Sequence, residues 1–203
     1  KNSEFLYEIG YTLSNRIDWN ILPSLTPGND YTIMVKDTLS GAFTISGFFR
    51  INQPYITISV PFSSTKWAKG LTHNGIFWSD NLSGNLMVLL YKAGIVVDTL
   101  GISESDIQSY YWDIPASLSS GSDYQIILKD KASGITGTSS FFSIEDPYIN
   151  IQQPHSGAQL VKGTADNWID WNDNSPNKLG IYLYKAEVLI GIIGTSSNAY
   201  STN

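Results

Sequence analysis

Trp112-Asp-Ile-Pro-Ala-Ser-Leu-Ser-Ser-Gly121-Ser-Asp123-Tyr124 is an altered copy of an earlier stretch, Trp19-Asn-Ile-Leu-Pro-Ser-Leu-Thr-Pro-Gly28-Asn-Asp30-Tyr31. The offset is 112 − 19 = 93 residues, and it carries Lys36-Asp37 onto Lys129-Asp130, Phe48-Phe49 onto Phe141-Phe142 and Pro54-Tyr55-Ile56 onto Pro147-Tyr148-Ile149. Further on, Lys69-Gly70 falls on Lys162-Gly163, Trp78 on Trp171, Asp80-Asn81 on Asp173-Asn174 and Leu90-Tyr-Lys-Ala93 on Leu183-Tyr-Lys-Ala186, without a gap. A fixed period of this size is the signature of tandem structural repeats.

Two periods take up 186 residues of the 203, and the remaining 203 − 186 = 17 bring the chain back to the phase in which it began. The chain is therefore expected to start and stop inside repeats. Residues 1–52 read as the C-terminal part of a repeat, 53–145 as a complete repeat and 146–203 as the N-terminal part of a further repeat.

Within the middle repeat, period-2 alternation marks the strands. Ile56, Ile58 and Val60 alternate with Thr57 and Ser59, Ile76 and Trp78 share a face, and Leu86, Val88 and Leu90 form another apolar row. The run Ile95-Val96-Val97 follows, then Tyr110 to Ile114, then Tyr124, Ile126 and Leu128, and last Phe142 with Ile144. About seven strands in some ninety residues is the size of an immunoglobulin-like (fibronectin III-like) antiparallel β-sandwich. Tyr31 and Tyr124, each after a Gly-x-Asp turn, stand where such sandwiches carry a tyrosine corner. Asn52-Gln53-Pro54 and Glu145-Asp146-Pro147 are links with no slack, which favours repeats held end to end at a fixed angle.

Composition excludes several function classes. The apolar fraction of 42% is enough for cores, and only 15% of residues are charged. A net charge of −6 with no Lys/Arg run argues against nucleic acid as a partner. There is no apolar stretch long enough to span a bilayer, and the start, Lys1-Asn2-Ser3-Glu4, has no apolar signal region. Cysteine is absent, so disulfides and thiolate chemistry are too. Abundant Ser, Thr, Asn and aromatic residues fit an extracellular wall or fibre protein.

The order Pro-Tyr-Ile-x-Ile, Ile-x-Trp, Leu-Tyr-Lys, Trp-x-Ile-Pro-x-Ser-Leu, Gly-Ser-Asp-Tyr-x-Ile and Phe-Phe-Ser-Ile resembles the Ser/Thr-rich, GPI-anchored cell-wall type of immunoglobulin-like repeat, the yeast β-glucan assembly type. The match is best from Trp112 to Ile144 and extends over the middle repeat from Pro54. The first copy departs from it with Leu22-Pro23, and the third stops before its Trp-x-Ile-Pro segment. The resemblance implies an extracellular, non-enzymatic sandwich and supplies no catalytic residue.

Trp19, Trp78, Trp112 and Trp171 recur at the period on inward strand phases, so they read as repeat core together with Tyr31 and Tyr124. Trp67, Phe62 and Phe77 fall on Leu160, His155 and Asp170, vary between copies, and are the candidates for glycan stacking. The two histidines, His73 and His155, pair at the period with Asp166 and Phe62 and so share no chemistry. Asp80-Asn81-Leu-Ser83-Gly84 and Asp173-Asn174-Ser-Pro-Asn177 gather oxygen donors, but Asx turns explain them better than a metal does. The recurring acids Asp30/Asp123, Asp37/Asp130 and Asp80/Asp173 sit beside turns, and no Gly-x-Ser-x-Gly, Walker or His-Glu-x-x-His motif is present. Asn81-Leu-Ser83 is a candidate N-glycosylation site; Asn174-Ser-Pro176 is not. No catalytic residue, cofactor or metal is assigned.

A half sandwich exposes an apolar face and unpaired strand edges, so each terminal segment needs completion. A continuous chain of stacked repeats does this most simply, and closure of one copy's tail over the next copy's head is the alternative. The expected function is structural: a linear extracellular filament or stalk whose partners are neighbouring copies or repeats. The alternatives are a module that binds cell-wall polysaccharide or serves adhesion, and spacer repeats of a larger secreted enzyme.

Overall fold

Alternating apolar residues give strands wherever one face can be covered, and the computed structural model describes residues 4–165, 167–175 and 177–196. Residues 1–3, Asp166 and Pro176, which figure in the reading of the sequence, lie outside the described residues. Among the described residues the chain is all-β apart from one 3₁₀ turn, Ser105–Ile107, and it divides into two units, Lys1–Gln53 and Pro54–Asn203.

The first unit holds β1 (Gly28–Tyr31), β2 (Met34–Lys36), β3 (Phe43–Ile45) and β4 (Phe49–Ile51). β1 pairs antiparallel with β4, and β2 with β3. Its aromatic residues gather: Trp19 meets Phe49 edge-on at 6.2 Å, Tyr31 lies 6.0 Å from Phe49, and Trp19 Nε1 donates to the Tyr7 hydroxyl at 2.6 Å. Ile51 is the one buried apolar residue among the described residues of this unit.

The second unit opens with β5 (Ile56–Val60), β6 (Lys66–Ala68), β7 (Asn74–Asp80), β8 (Asn85–Lys92) and β9 (Ile95–Glu104). Then come β10 (Ser109–Trp112), β11 (Gly121–Asp130), β12 (Thr136–Thr138) and β13 (Phe142–Glu145). One sheet has the order β10-β7-β5; the other runs β6-β13-β11-β8-β9, with β12 also on β11. The arrangement is sandwich-like, because one core takes Ile56, Ile76 and Trp78 from the first sheet and Leu86, Val88, Leu90, Tyr124, Ile126, Leu128, Phe142 and Ile144 from the second. Seven of those eleven are completely shielded from solvent. Transfer of about 25 cal/mol per Å² of apolar surface is what holds the two sheets together.

Two strands go beyond those expected from the sequence, and one of them brings a correction. β6 and β12 are three residues each, too short for alternation to register. β6 pairs in parallel with β13, Trp67 opposite Ile144, so the assembly is not purely antiparallel. Trp67, expected as a glycan-stacking candidate, faces inward from this strand, 6.2 Å from Trp112 and 5.1 Å from Phe142.

Beyond Pro147 lie β14 (Ile149–Gln153) paired with β15 (Asp170–Asp173), and β16 (Leu179–Lys185) paired with β17 (Val188–Ser196). Here the apolar faces are bare. Ile149 is 55% exposed and Leu183 50%, whereas Ile56 and Leu90, one period earlier, are 8% and 0%.

The period recurs atom by atom. Trp78 Nε1 donates to Asp80 Oδ2 at 2.9 Å, as Trp171 Nε1 does to Asp173 Oδ2 at 2.9 Å. Tyr31 and Tyr124 each donate a hydroxyl to the carbonyl five residues upstream, Thr26 and Ser119. The Ile33 and Ile126 N–H groups each donate to a serine hydroxyl, Ser46 and Ser139, at 2.9 Å.

Candidate functional site

The link Glu145-Asp146-Pro147-Tyr148 is where polar chemistry concentrates. Proline removes an N–H and leaves adjacent backbone groups without ladder partners, so side chains must supply them. Asn174, the residue that follows β15, does so with both ends of its amide. Its Nδ2 donates to the Asp146 carbonyl at 3.2 Å and its Oδ1 accepts the Tyr148 N–H at 2.7 Å. The Asp146 carboxylate is held from the other side, by the Lys69 ammonium and the Ser120 hydroxyl. Those two groups pull the Asp146 carboxyl below the usual carboxylate range, Lys69 more than Ser120. Lys66 pairs with Glu145 at 2.9 Å, and that bond raises the lysine above its ordinary range.

Asn81 has the same task a period earlier, its Oδ1 accepting the Tyr55 N–H at 3.0 Å. The recurring asparagine therefore serves the backbone in both copies, only one of which also forms a sequon. Asp80 and Asp173 accept the Leu82 and Ser175 N–H groups at 2.8 and 2.9 Å, the Asx turns expected there. Asp37 and Asp130 bind their own turns through Ser40 and Ser133. Burial pushes the Asp130 carboxyl up, but the Ser133 hydroxyl and neighbouring N–H groups outweigh it and leave it low. Asp123 binds Lys92 at 2.7 Å, and the ammonium sits 4.1 Å above the Tyr124 ring. Each of these acids is engaged in local structure.

The stacking candidates separate. Trp67 is half-buried and packs against the core. Phe62 is 50% exposed and Phe77 37%. Phe77 has company that the sequence did not indicate: Tyr111, 51% exposed, lies edge-on at 6.0 Å, and His73 stacks on Tyr111 at 4.3 Å. Register explains the grouping, since β10 pairs with β7 and sets Tyr111 opposite Gly75. Phe77 folds back over that glycine so closely that a Cβ there would lie 2.5 Å from the ring. In the next copy the Gly75 position holds Trp168, 71% exposed. Among the described residues, no group of three or more His, Asp or Glu is placed to hold a metal ion.

No helix among the described residues is long and apolar enough to cross a membrane. No protein-family model and no curated protein sequence matches this chain.

Proposed function

We propose that the chain belongs to a non-enzymatic, extracellular array of immunoglobulin-like sandwich repeats, stacked end to end as a filament or stalk. The observation that carries this reading is the link. Asp146 is fixed through its backbone by the following segment's Asn174 and through its side chain by the preceding segment's Lys69 and Ser120. A link tied on both sides resists bending, and resistance to bending is what a spacer or fibre needs. The 93-residue recurrence of side-chain hydrogen bonds supports one sandwich design used repeatedly, as in the cell-wall repeat family that the sequence resembles. Small-angle scattering from a chain carrying two complete periods tests it: a rod of fixed length supports the reading, and a flexible or collapsed profile counts against it.

A second reading, a module that stacks on wall polysaccharide, is favoured by the exposed Phe77–Tyr111–His73 group, since planar aromatic faces pack on sugar rings. Binding to insoluble β-glucan that is lost in Tyr111→Ala, with the fold intact, would promote it over the first.

A further inference from the structure

In the middle repeat the sheet β10-β7-β5 turns Ile56, Ile76, Trp78 and Trp112 to the core, so the alternate residues face outward. None of those outward positions is charged, and two of them are the rings of Phe77 and Tyr111. The next copy keeps the pairing: Thr57 lies opposite Ser79 and Ile58 opposite Trp78, as Asn150 lies opposite Asn172 and Ile151 opposite Trp171. The approach to the strand is kept too, since Asn74 Nδ2 donates to the Leu71 carbonyl at 3.0 Å and Asn167 Nδ2 to the Thr164 carbonyl at 3.2 Å. Strand phase therefore gives Trp168 the outward position of Gly75. In one copy Phe77 folds over that glycine; in the other the aromatic side chain starts from the same position, with Asp170 in place of Phe77. Two different sequences thus keep an aromatic residue at one spot of the outer face.

The middle group is also held in place. His73 takes the left-handed backbone conformation, φ +62°, which is uncommon away from glycine; its N–H donates to Asp113 Oδ1 at 2.7 Å and its ring backs Tyr111. The flanking groups are uncharged hydrogen-bonding ones, the hydroxyls of Thr57, Ser59 and Ser79 in one copy and the amides of Asn150, Gln152 and Asn172 in the other. Each copy adds one carboxylate, Asp113 or Asp170, and β5, β7, β10, β14 and β15 carry no lysine or arginine. An aromatic platform in such a surround suits a polyhydroxylated ligand and repels an anionic one. From this we infer that the outer face carries one saccharide platform per repeat, Tyr111 with Phe77 in the middle copy and Trp168 in the next, for a neutral polysaccharide. The inference rests on the polysaccharide reading above and extends it from one site to a repeated one, in which avidity strengthens weak single contacts.

Retention of the full 203-residue chain on insoluble β-glucan, cellulose, chitin and mannan tests this, with polygalacturonate beads as the anionic control. At least one neutral polymer should retain the chain, and polygalacturonate should not. Trp168→Ala and Tyr111→Ala should each weaken retention about tenfold, and the two together should abolish it, all with an unchanged melting temperature. Trp168→Tyr, which keeps a ring, should be retained like the parent chain. Retention that depends on only one of the two residues overturns the repeated platform; where that residue is Tyr111, the single-site reading stands. No retention on any neutral polymer, or retention that neither substitution changes, overturns both. Equal retention on polygalacturonate overturns the neutral ligand.

Discussion

Asn174 holds Tyr148 across the link, its Oδ1 accepting the Tyr148 N–H at 2.7 Å, and Asn81 holds Tyr55 in the same way at 3.0 Å. A residue type that recurs at the period and makes the same backbone bond is maintained by geometry, whatever else it also does. Asn174→Ala removes two hydrogen bonds, each worth about 1 kcal/mol net. Hydrogen exchange at the Tyr148 amide should quicken by roughly tenfold or more, with the Tyr55 amide unchanged. Equal protection in the variant would show that the link is held by something other than Asn174.

The tyrosine corner gives a graded comparison. Tyr124 is completely buried and Tyr31 half-buried, yet both make the same hydroxyl bond to a carbonyl five residues upstream. Tyr124→Phe removes a part-buried hydrogen bond made by a fully buried tyrosine and should lower stability by about 1 kcal/mol in urea melts. Tyr31→Phe, where water can replace the hydroxyl, should cost less than half as much.

Trp67 and Tyr111 should differ sharply under mutation. Trp67 packs on Trp112 and Phe142, so Trp67→Ala should destabilise the middle repeat by about 3–5 kcal/mol. Tyr111→Ala, at an exposed site, should shift the melting temperature little. A mild Trp67 effect would return that residue to the surface candidates.

Acid should loosen the link. Asp146 and Asp123 have folded pKa values below their unfolded ones, so their contribution is complete above the unfolded aspartate range and is lost as pH falls through the folded values. Protection of the Tyr148 amide, taken relative to the intrinsic exchange rate at each pH, should therefore fall below about pH 4 and stay constant between about pH 6 and 8. The lysines change the sign: burial pulls Lys92 down, but Asp123 and Tyr124 hold it above its ordinary range, so its contribution persists at neutral pH and is lost only as strong alkali passes the folded value. Asp146→Asn should remove the acid transition at the link. An unaltered pH profile in that variant would exclude Asp146 as its source.

Much of this architecture is legible in residue order because the period of 93 samples each environment more than once. Trp78 and Trp112 are recognisable as core because both the alternation and the recurrence place them inward, and both are at most 6% exposed. Trp67 misleads for a physical reason. Its position varies between copies, which reads as surface, but β6 is a three-residue strand held in parallel to β13, and a long-range pairing of that kind leaves no local pattern. The Phe77–Tyr111–His73 group is likewise a product of register between β7 and β10, thirty-four residues apart at Phe77 and Tyr111 (111 − 77 = 34). Asn81 and Asn174 are visible as a recurring pair, but their hydrogen bonds reach back to Tyr55 and Tyr148, a reach set by the pairing of strands and not by any local motif.

The most direct measurement completes the third copy. Because 203 − 93 = 110, a chain in which Asn203 is followed at once by a second copy of residues 111–146 contains a further whole period. Hydrogen exchange along Leu179–Lys185 should fall to the level of Leu86–Lys92, as the added strands cover Leu183 and pair with its edge. Exchange in that strand that stays as fast as in the unextended chain would contradict a shared two-sheet core.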